Sequence, residues 1–287
     1  MNGFGDRRLV VHADHRLFEQ LERLVSCQMV FFAGLPGTGK SLLAHQLAHL
    51  AAARHRHLSL LQWDVARPRF EASPSGRRYP LVDGVTHAAI RKAAGLWIRH
   101  ALADWSARHP GPEHLLVGET PFVGSRFIEL ARPAADGAEP LLAAPACRFV
   151  IAVPSPEVRR FLENERERRA EHPLHPRERE DAPPSVLRDL WRQLAEVAGR
   201  LGLASPSAYD PVVYRQVYER ILRHRHVDVL ALDVILPTDT LSVYDFAVAP
   251  VDLVPTEADT ERFIRDVERR YPDVKVLERE VEGWWQA

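Results

Sequence analysis

Hydrophobic positions along the chain change their period several times. Leu17, Leu21 and Leu24 recur at helical spacing behind Asp14, a natural N-cap, so residues 14–25 predict a helix. Met29–Ala33 (MVFFA) is continuously apolar, which suits a short strand buried on both faces. Beyond a glycine-rich turn, Leu43, Leu47 and Leu50 fall on one face of an alanine- and leucine-rich helix. Leu58–Trp63 predicts a second strand ending at Asp64. Residues 67–80 are rich in Arg, Pro, Ser and Gly and predict a loop. Val85 to about Ala107 predicts a helix stopped by Pro110-Gly111. His114–Gly118 and Cys147–Val153 predict the third and fourth strands, with a short helix through Arg126–Leu130 between them. Val227–Leu236 contains a fifth. Strands alternating with helices imply a three-layer α/β/α architecture around five mostly parallel strands.

Between strands four and five the pattern turns polar. Residues 154–184 are dominated by charge. Ser155 and Pro156 can open an exposed helix that places Arg159, Glu163 and Arg166 on one face, and Pro173, Pro176, Pro183 and Pro184 break the second half of the segment. Amphipathic helices are predicted over Ser185–Leu201, Pro211–Arg223 and Thr256–Arg270, with a final strand at Val274–Leu277. The chain 1–287 therefore reads as one domain. Its core is 28–240, its charged lid about 154–184, its helical addition about 185–223, and its C-terminal appendage 250–287.

Composition narrows the picture little. A net charge of -1 offers no blanket attraction to nucleic acid or membrane, and no stretch is long and apolar enough for a span. Without an apolar leader, a cytoplasmic protein is expected, with Cys27 and Cys147 as buried free thiols. The 14 histidines are scattered and form no HExxH-like pattern, so no protein-held metal site is expected. Lysine is scarce: Lys40, Lys92 and Lys275 stand alone among 38 basic residues.

The turn after the first strand carries the chemistry. Gly34-Leu35-Pro36-Gly37-Thr38-Gly39-Lys40-Ser41 fits G-x-x-x-x-G-K-[ST] between a strand and a helix that continues through Leu42. Glycines let backbone amides close on phosphate oxygens, and the helix N-terminus adds partial positive charge. Lys40 supplies a compact cation where a forked guanidinium would not fit, and the Ser41 hydroxyl can hold Mg²⁺. ATP with Mg²⁺ is the expected ligand pair. An Asn-Lys-x-Asp guanine reader is excluded, because the only asparagines are Asn2 and Asn164. No LSGGQ-like transporter signature occurs, and the third strand ends Gly118-Glu119-Thr120 rather than in an Asp-Glu pair.

Other polar residues stand where ligands of an open parallel sheet bind, beyond the carboxyl ends of the strands. Asp64 is placed to take a proton from an attacking hydroxyl, or to cap the next turn. Arg67 and Arg69 are placed to hold an anionic group of the acceptor, or to be solvated. Glu119 can hold Mg²⁺, orient the acceptor, or cap a helix. Arg159, Arg160 or Arg166 would bring charge over the phosphates, unless the alternating Glu and Arg of the lid simply pair among themselves. Pro237-Thr238-Asp239-Thr240 lies at the edge that would flank adenine, and Asp245–Ala249, around Phe246, is expected in the core.

Taken together, GLPGTGKS, Asp64-x-x-Arg67, Glu119-Thr120 and the arginine-rich lid resemble the P-loop kinase superfamily. The branch in view holds zeta-toxin-like and polynucleotide-kinase-like phosphotransferases. The resemblance spans roughly residues 28–240. It implies Asp64 as general base, Arg67 on acceptor phosphate and lid arginines on ATP, with a small hydroxyl- or phosphate-bearing acceptor. This chain departs from the pattern between Pro68 and Val85, in its proline-broken lid, and in the two helices before strand five, where acceptor specificity is set. Nucleic acid as acceptor would use Arg67, Arg69, Arg77 and Arg78, but the interleaved aromatics are limited to Phe70 and Tyr79. The contrasting expectation is a regulatory or assembly ATPase whose nucleotide state moves the lid against a protein partner.

Overall fold

A computed structural model describes residues 9–82, 84–238, 240–246, 248 and 251–287. In chain order these form α1 (His15–Leu24), β1 (Met29–Ala33), α2 (Lys40–Ala53), β2 (His57–Gln62), α3 (Trp63–Ala72) and α4 (Ala88–Arg108). Next come β3 (His114–Thr120), α5 (Glu139–Leu142), β4 (Cys147–Pro154), α6 (Pro156–Glu171), α7 (Pro184–Arg200) and α8 (Pro211–Ile221). The chain ends with β5 (Val227–Leu232), β6 (Val251–Asp252), α9 (Glu257–Arg270) and α10 (Val274–Glu282).

The strands lie in the order β5-β4-β1-β3-β2-β6, and every pairing is parallel. The five expected strands are present. The two-residue β6 is an addition too short to leave a periodic signal. Alternation along β1 divides the core. Met29, Phe31 and Ala33 face α3, α4 and α7–α10, where Phe70, Trp97, Leu194, Tyr218 and Ile264 pack. Val30 and Phe32 face α1 and α2, meeting Leu17, Leu21, Leu43 and Leu47. Helices thus cover both faces, as parallel sheets require.

This arrangement positions the glycine-rich turn. α2 leaves β1 on one face, whereas the connections through α3 and α4 and those through α7 and α8 run on the other. The carboxyl end of central β1 is therefore where the crossovers part, the place where open α/β sheets bind ligands.

Three expectations need correction. The loop predicted at 67–80 begins as helix, because α3 starts at Trp63 immediately after β2 and runs through Pro68 to Ala72. Burial of Trp63, Ala66 and Phe70 at helical spacing outweighs the proline. The final strand predicted at Val274–Leu277 is the first half of α10. Asp273 caps the Lys275 amide at 2.9 Å, and Leu277 and Val281 are buried one turn apart while Val274 and Val276 stay exposed. Cys147 is buried as expected, but Cys27 is half-exposed; both thiols are free. Phe246 is buried, whereas Asp239, Ala247 and Ala249 lie outside the described residues. Among the described residues no helix is long and apolar enough to cross a membrane.

Candidate functional site

The turn between β1 and α2 is shaped by three glycines in left-handed or near-extended backbone: Gly34 at φ 147°, Gly37 at 72° and Gly39 at 82°. A side chain at Gly34 would place its Cβ 2.0 Å from the Tyr214 hydroxyl, and one at Gly37 would reach 2.8 Å from Leu187. Glycine is required here both for backbone conformation and for the close approach of α7 and α8. Leu35 and Thr38 are buried, while Pro36 and Leu42 are half-buried. The Leu35 amide donates to Tyr214 Oη at 3.3 Å, and Thr38 Oγ1 donates to the Leu35 carbonyl at 2.9 Å.

Lys40 opens α2 and is 7% exposed. Its Nζ donates to the Leu35 carbonyl at 2.8 Å, which folds the ammonium back over the turn. Burial pulls its pKa down to about 8; Glu119 and Asp64 oppose that pull, and Arg166 and Arg159 add to it. These charges all bear on one ammonium, so they surround one locus.

Glu119 comes from β3, next to β1 in the sheet. Its Oε2 accepts from Ser41 Oγ at 2.8 Å and its Oε1 from Gln62 Nε2 at 3.1 Å, so it does not cap a helix. Two oxygen donors side by side are what a hard divalent cation takes, and the pair fits magnesium. One turn along α2, burial holds His45 below its ordinary pKa, so its imidazole stays neutral beside Glu119.

Asp64 lies in the first turn of α3, exposed, with Gln62 rather than Asp64 at the N-cap. Arg67, one turn on, shares its face; its Nη1 lies 3.4 Å from Glu71 and its Nε is buried without a partner among the described residues. Arg69 is exposed and sits about 200° further round the helix than Arg67, away from that face.

The lid divides its arginines between roles. Arg159, 3% exposed, is fully engaged: Nε with Glu163 at 2.8 Å, Nη1 with the carbonyls of Pro36 (3.1 Å) and Gly37 (3.0 Å), and Nη2 with Leu187 O at 3.5 Å. Its guanidinium also lies over the Tyr209 ring at 5.6 Å. Arg159 therefore braces the turn through its carbonyl oxygens. Arg166 donates to Ala182 O at 2.9 Å and acts on Lys40 electrostatically, which leaves it the lid arginine nearest in influence. Arg169 ties the lid to the loop after β5 through the carbonyls of Thr238 (2.9 Å) and Leu241 (3.3 Å).

Sequence reasoning passed over Tyr214, Gln62 and the segment after β3. Of the short helix expected through Arg126–Leu130 a single 3-10 turn at Ile128–Leu130 is present, and before it Phe122, Gly124, Ser125 and Phe127 all have φ between 55° and 66°. Each non-glycine residue so placed costs about 1–3 kcal/mol, so the surroundings must impose it. The Thr120 hydroxyl holds Arg126 O at 3.0 Å, Tyr218 Oη holds Pro121 O at 2.8 Å, and Arg91 Nη1 holds Gly124 O at 2.8 Å. No periodicity signals a run of this kind.

At the opposite end of the sheet, where β2 and β3 begin, a cavity of about 890 Å³ is lined by His57, His114, Trp105 and Asp104 among others. His57, His114 and His109 adjoin there, the His57–His114 rings tilted at 5.1 Å and the His109–His114 rings edge-on at 4.6 Å. Among the described residues no group of three His, Cys, Asp or Glu side chains is placed to hold a metal ion. Comparison of the chain with protein-family models, curated proteins and solved structures finds no match.

Proposed function

We propose that the chain is a magnesium-assisted, ATP-dependent phosphotransferase that moves the γ-phosphoryl group to a small acceptor. The observation that carries this reading is the convergence, at the carboxyl ends of β1, β2 and β3, of buried Lys40, the Ser41–Glu119 pair at 2.8 Å and the exposed carboxylate of Asp64. Residues 34–42 would cradle the triphosphate, their amides and the Lys40 ammonium meeting the oxygens on which charge accumulates. Bound magnesium would neutralise phosphate oxygens, held by Ser41 and by Glu119 directly or through water.

Asp64 would accept the proton of an acceptor hydroxyl as its oxygen attacks the γ-phosphorus and the bond to the β-phosphate oxygen breaks. Arg67 would steady the acceptor, and Arg166 would close over the phosphates.

Acceptor-dependent ADP release, screened across hydroxyl- and phosphate-bearing metabolites, tests the reading. A productive acceptor should raise turnover well above the basal rate. Asp64→Asn should then lower transfer by about 10²–10⁴ while leaving ATP affinity unchanged, as expected for loss of a general base. Undiminished transfer in Asp64→Asn contradicts the role given to this carboxylate.

A further inference from the structure

Three arginines from three elements converge on the side of Asp64, with the carboxylates of Asp64, Glu71 and Glu282 around them and several guanidinium donors left over. Arg67 comes from α3, Arg91 from the first turn of α4, and Arg126 from the strained segment after β3. Because α4 runs antiparallel to β3, its N-terminus points to the same end of the sheet as the glycine-rich turn. Among the described residues the Arg126 side chain makes a single hydrogen bond, 3.5 Å from Nη1 to Val123 O. Arg91 spends Nη1 on Gly124 O, and the Nε atoms of Arg91 and Arg67 are buried without partners among the described residues.

The electrostatics agree with the geometry. Burial pushes Arg126 below its ordinary pKa, with Asp64 opposing and Arg67 reinforcing the shift. Burial also brings Arg91 down to about 10; Arg126 adds to that and Glu282 opposes it. Guanidinium groups stay protonated at neutral pH, so the shifts express first the cost of burying these cations and then their mutual repulsion, offset in part by Asp64 and Glu282. The segment that carries Arg126 is held in left-handed backbone by clamps from β3, α4 and α8, so its position is enforced.

We infer that Arg67, Arg91 and Arg126 form a second oxyanion subsite, separate from the glycine-rich turn, which receives a phosphate group carried by the acceptor. The inference rests on the phosphotransferase reading for the word acceptor, but the subsite itself can be tested without it. Three forked guanidiniums approaching from different elements suit a tetrahedral dianion better than a planar monoanion, so phosphate is the chemistry named.

The test uses the full chain carrying Lys40→Ala, which removes the cation of the first anion site. Inorganic phosphate is titrated calorimetrically, with acetate as the carboxylate arm. The expected result is one phosphate per chain, acetate at least about tenfold weaker, and at least a tenfold loss of phosphate affinity on adding Arg126→Met. Arg91→Gln and Arg67→Gln, each made singly in the same background, should also weaken phosphate, so the test stands if one variant fails to fold. Absence of phosphate binding, acetate binding as tightly as phosphate, or affinity indifferent to all three substitutions overturns the inference. A separate titration of the unsubstituted chain with ATP reports on the first site, so failure of the two ideas can be told apart.

Discussion

Lys40 concentrates the argument at the scale of single residues. The sequence marks it as one of three lysines, and the fold buries it with a pKa near 8. Scarcity alone is not diagnostic. Lys92 is also buried, yet it serves as an ion-pair centre, 3.0 Å from Glu129 and 2.6 Å from Glu280. What distinguishes Lys40 is that, among the described residues, the only hydrogen-bond partner of its ammonium is a carbonyl of its own turn. A bound phosphate would supply the missing negative charge and return Lys40 toward its ordinary pKa. ATP binding at pH 8.5 should therefore take up part of a proton at Lys40, because the empty site is partly deprotonated above about 8. At pH 6.5 Lys40 is already charged in both states and should contribute no uptake. Calorimetry in buffers of different ionisation enthalpy measures the difference; uptake at Lys40 that does not change between the two pH values would contradict the assignment.

At the scale of elements, the glycine-rich turn is held from outside by the lid and by α8. Arg159 grips two of its carbonyls, and Tyr214 receives the Leu35 amide. Tyr214→Phe removes one buried hydrogen bond, so a loss of about 1 kcal/mol in stability is expected from thermal unfolding, together with weaker ATP binding. Arg159→Lys keeps the charge but loses the fork, and should raise the KM for ATP more than it lowers kcat. A fall in kcat with KM unchanged would mean that Arg159 acts on the transferring group itself. None of these braces was legible in the sequence. The motif, the five strands and the Asp14 and Ser155 caps were, because each is a local pattern of consecutive residues. Tyr214 meets the turn from 179 positions away, and the left-handed run at 122–127 is imposed by neighbours distant in the chain.

At the scale of the whole molecule, the C-terminal segment is more than an attachment. Phe263, Ile264, Val267, Leu277, Val281 and Trp284 belong to the larger core, and Glu280 of α10 completes the ion pair at Lys92 of α4. Burial alone would lower the Lys92 pKa, but Glu129 and Glu280 raise it overall, so the ammonium is stabilised where it lies. Lys92→Met would leave Glu129 buried and unpaired and should cost about 3–5 kcal/mol, seen as a lowered midpoint in denaturant. A near-neutral effect would show that α10 docks without help from the Lys92 ion pair, through its apolar contacts and Arg132. The sequence marked 250–287 as an appendage because nothing in its own pattern reveals the partner helix. The functional account rests on one central claim, that residues 34–41 bind a nucleotide triphosphate, and an equilibrium titration with Mg·ATP tests it most directly. The account predicts one ATP per chain, and an affinity at least about 100-fold lower in a folded Lys40→Ala variant. No binding to the unsubstituted chain, or equal binding to the variant, would contradict it.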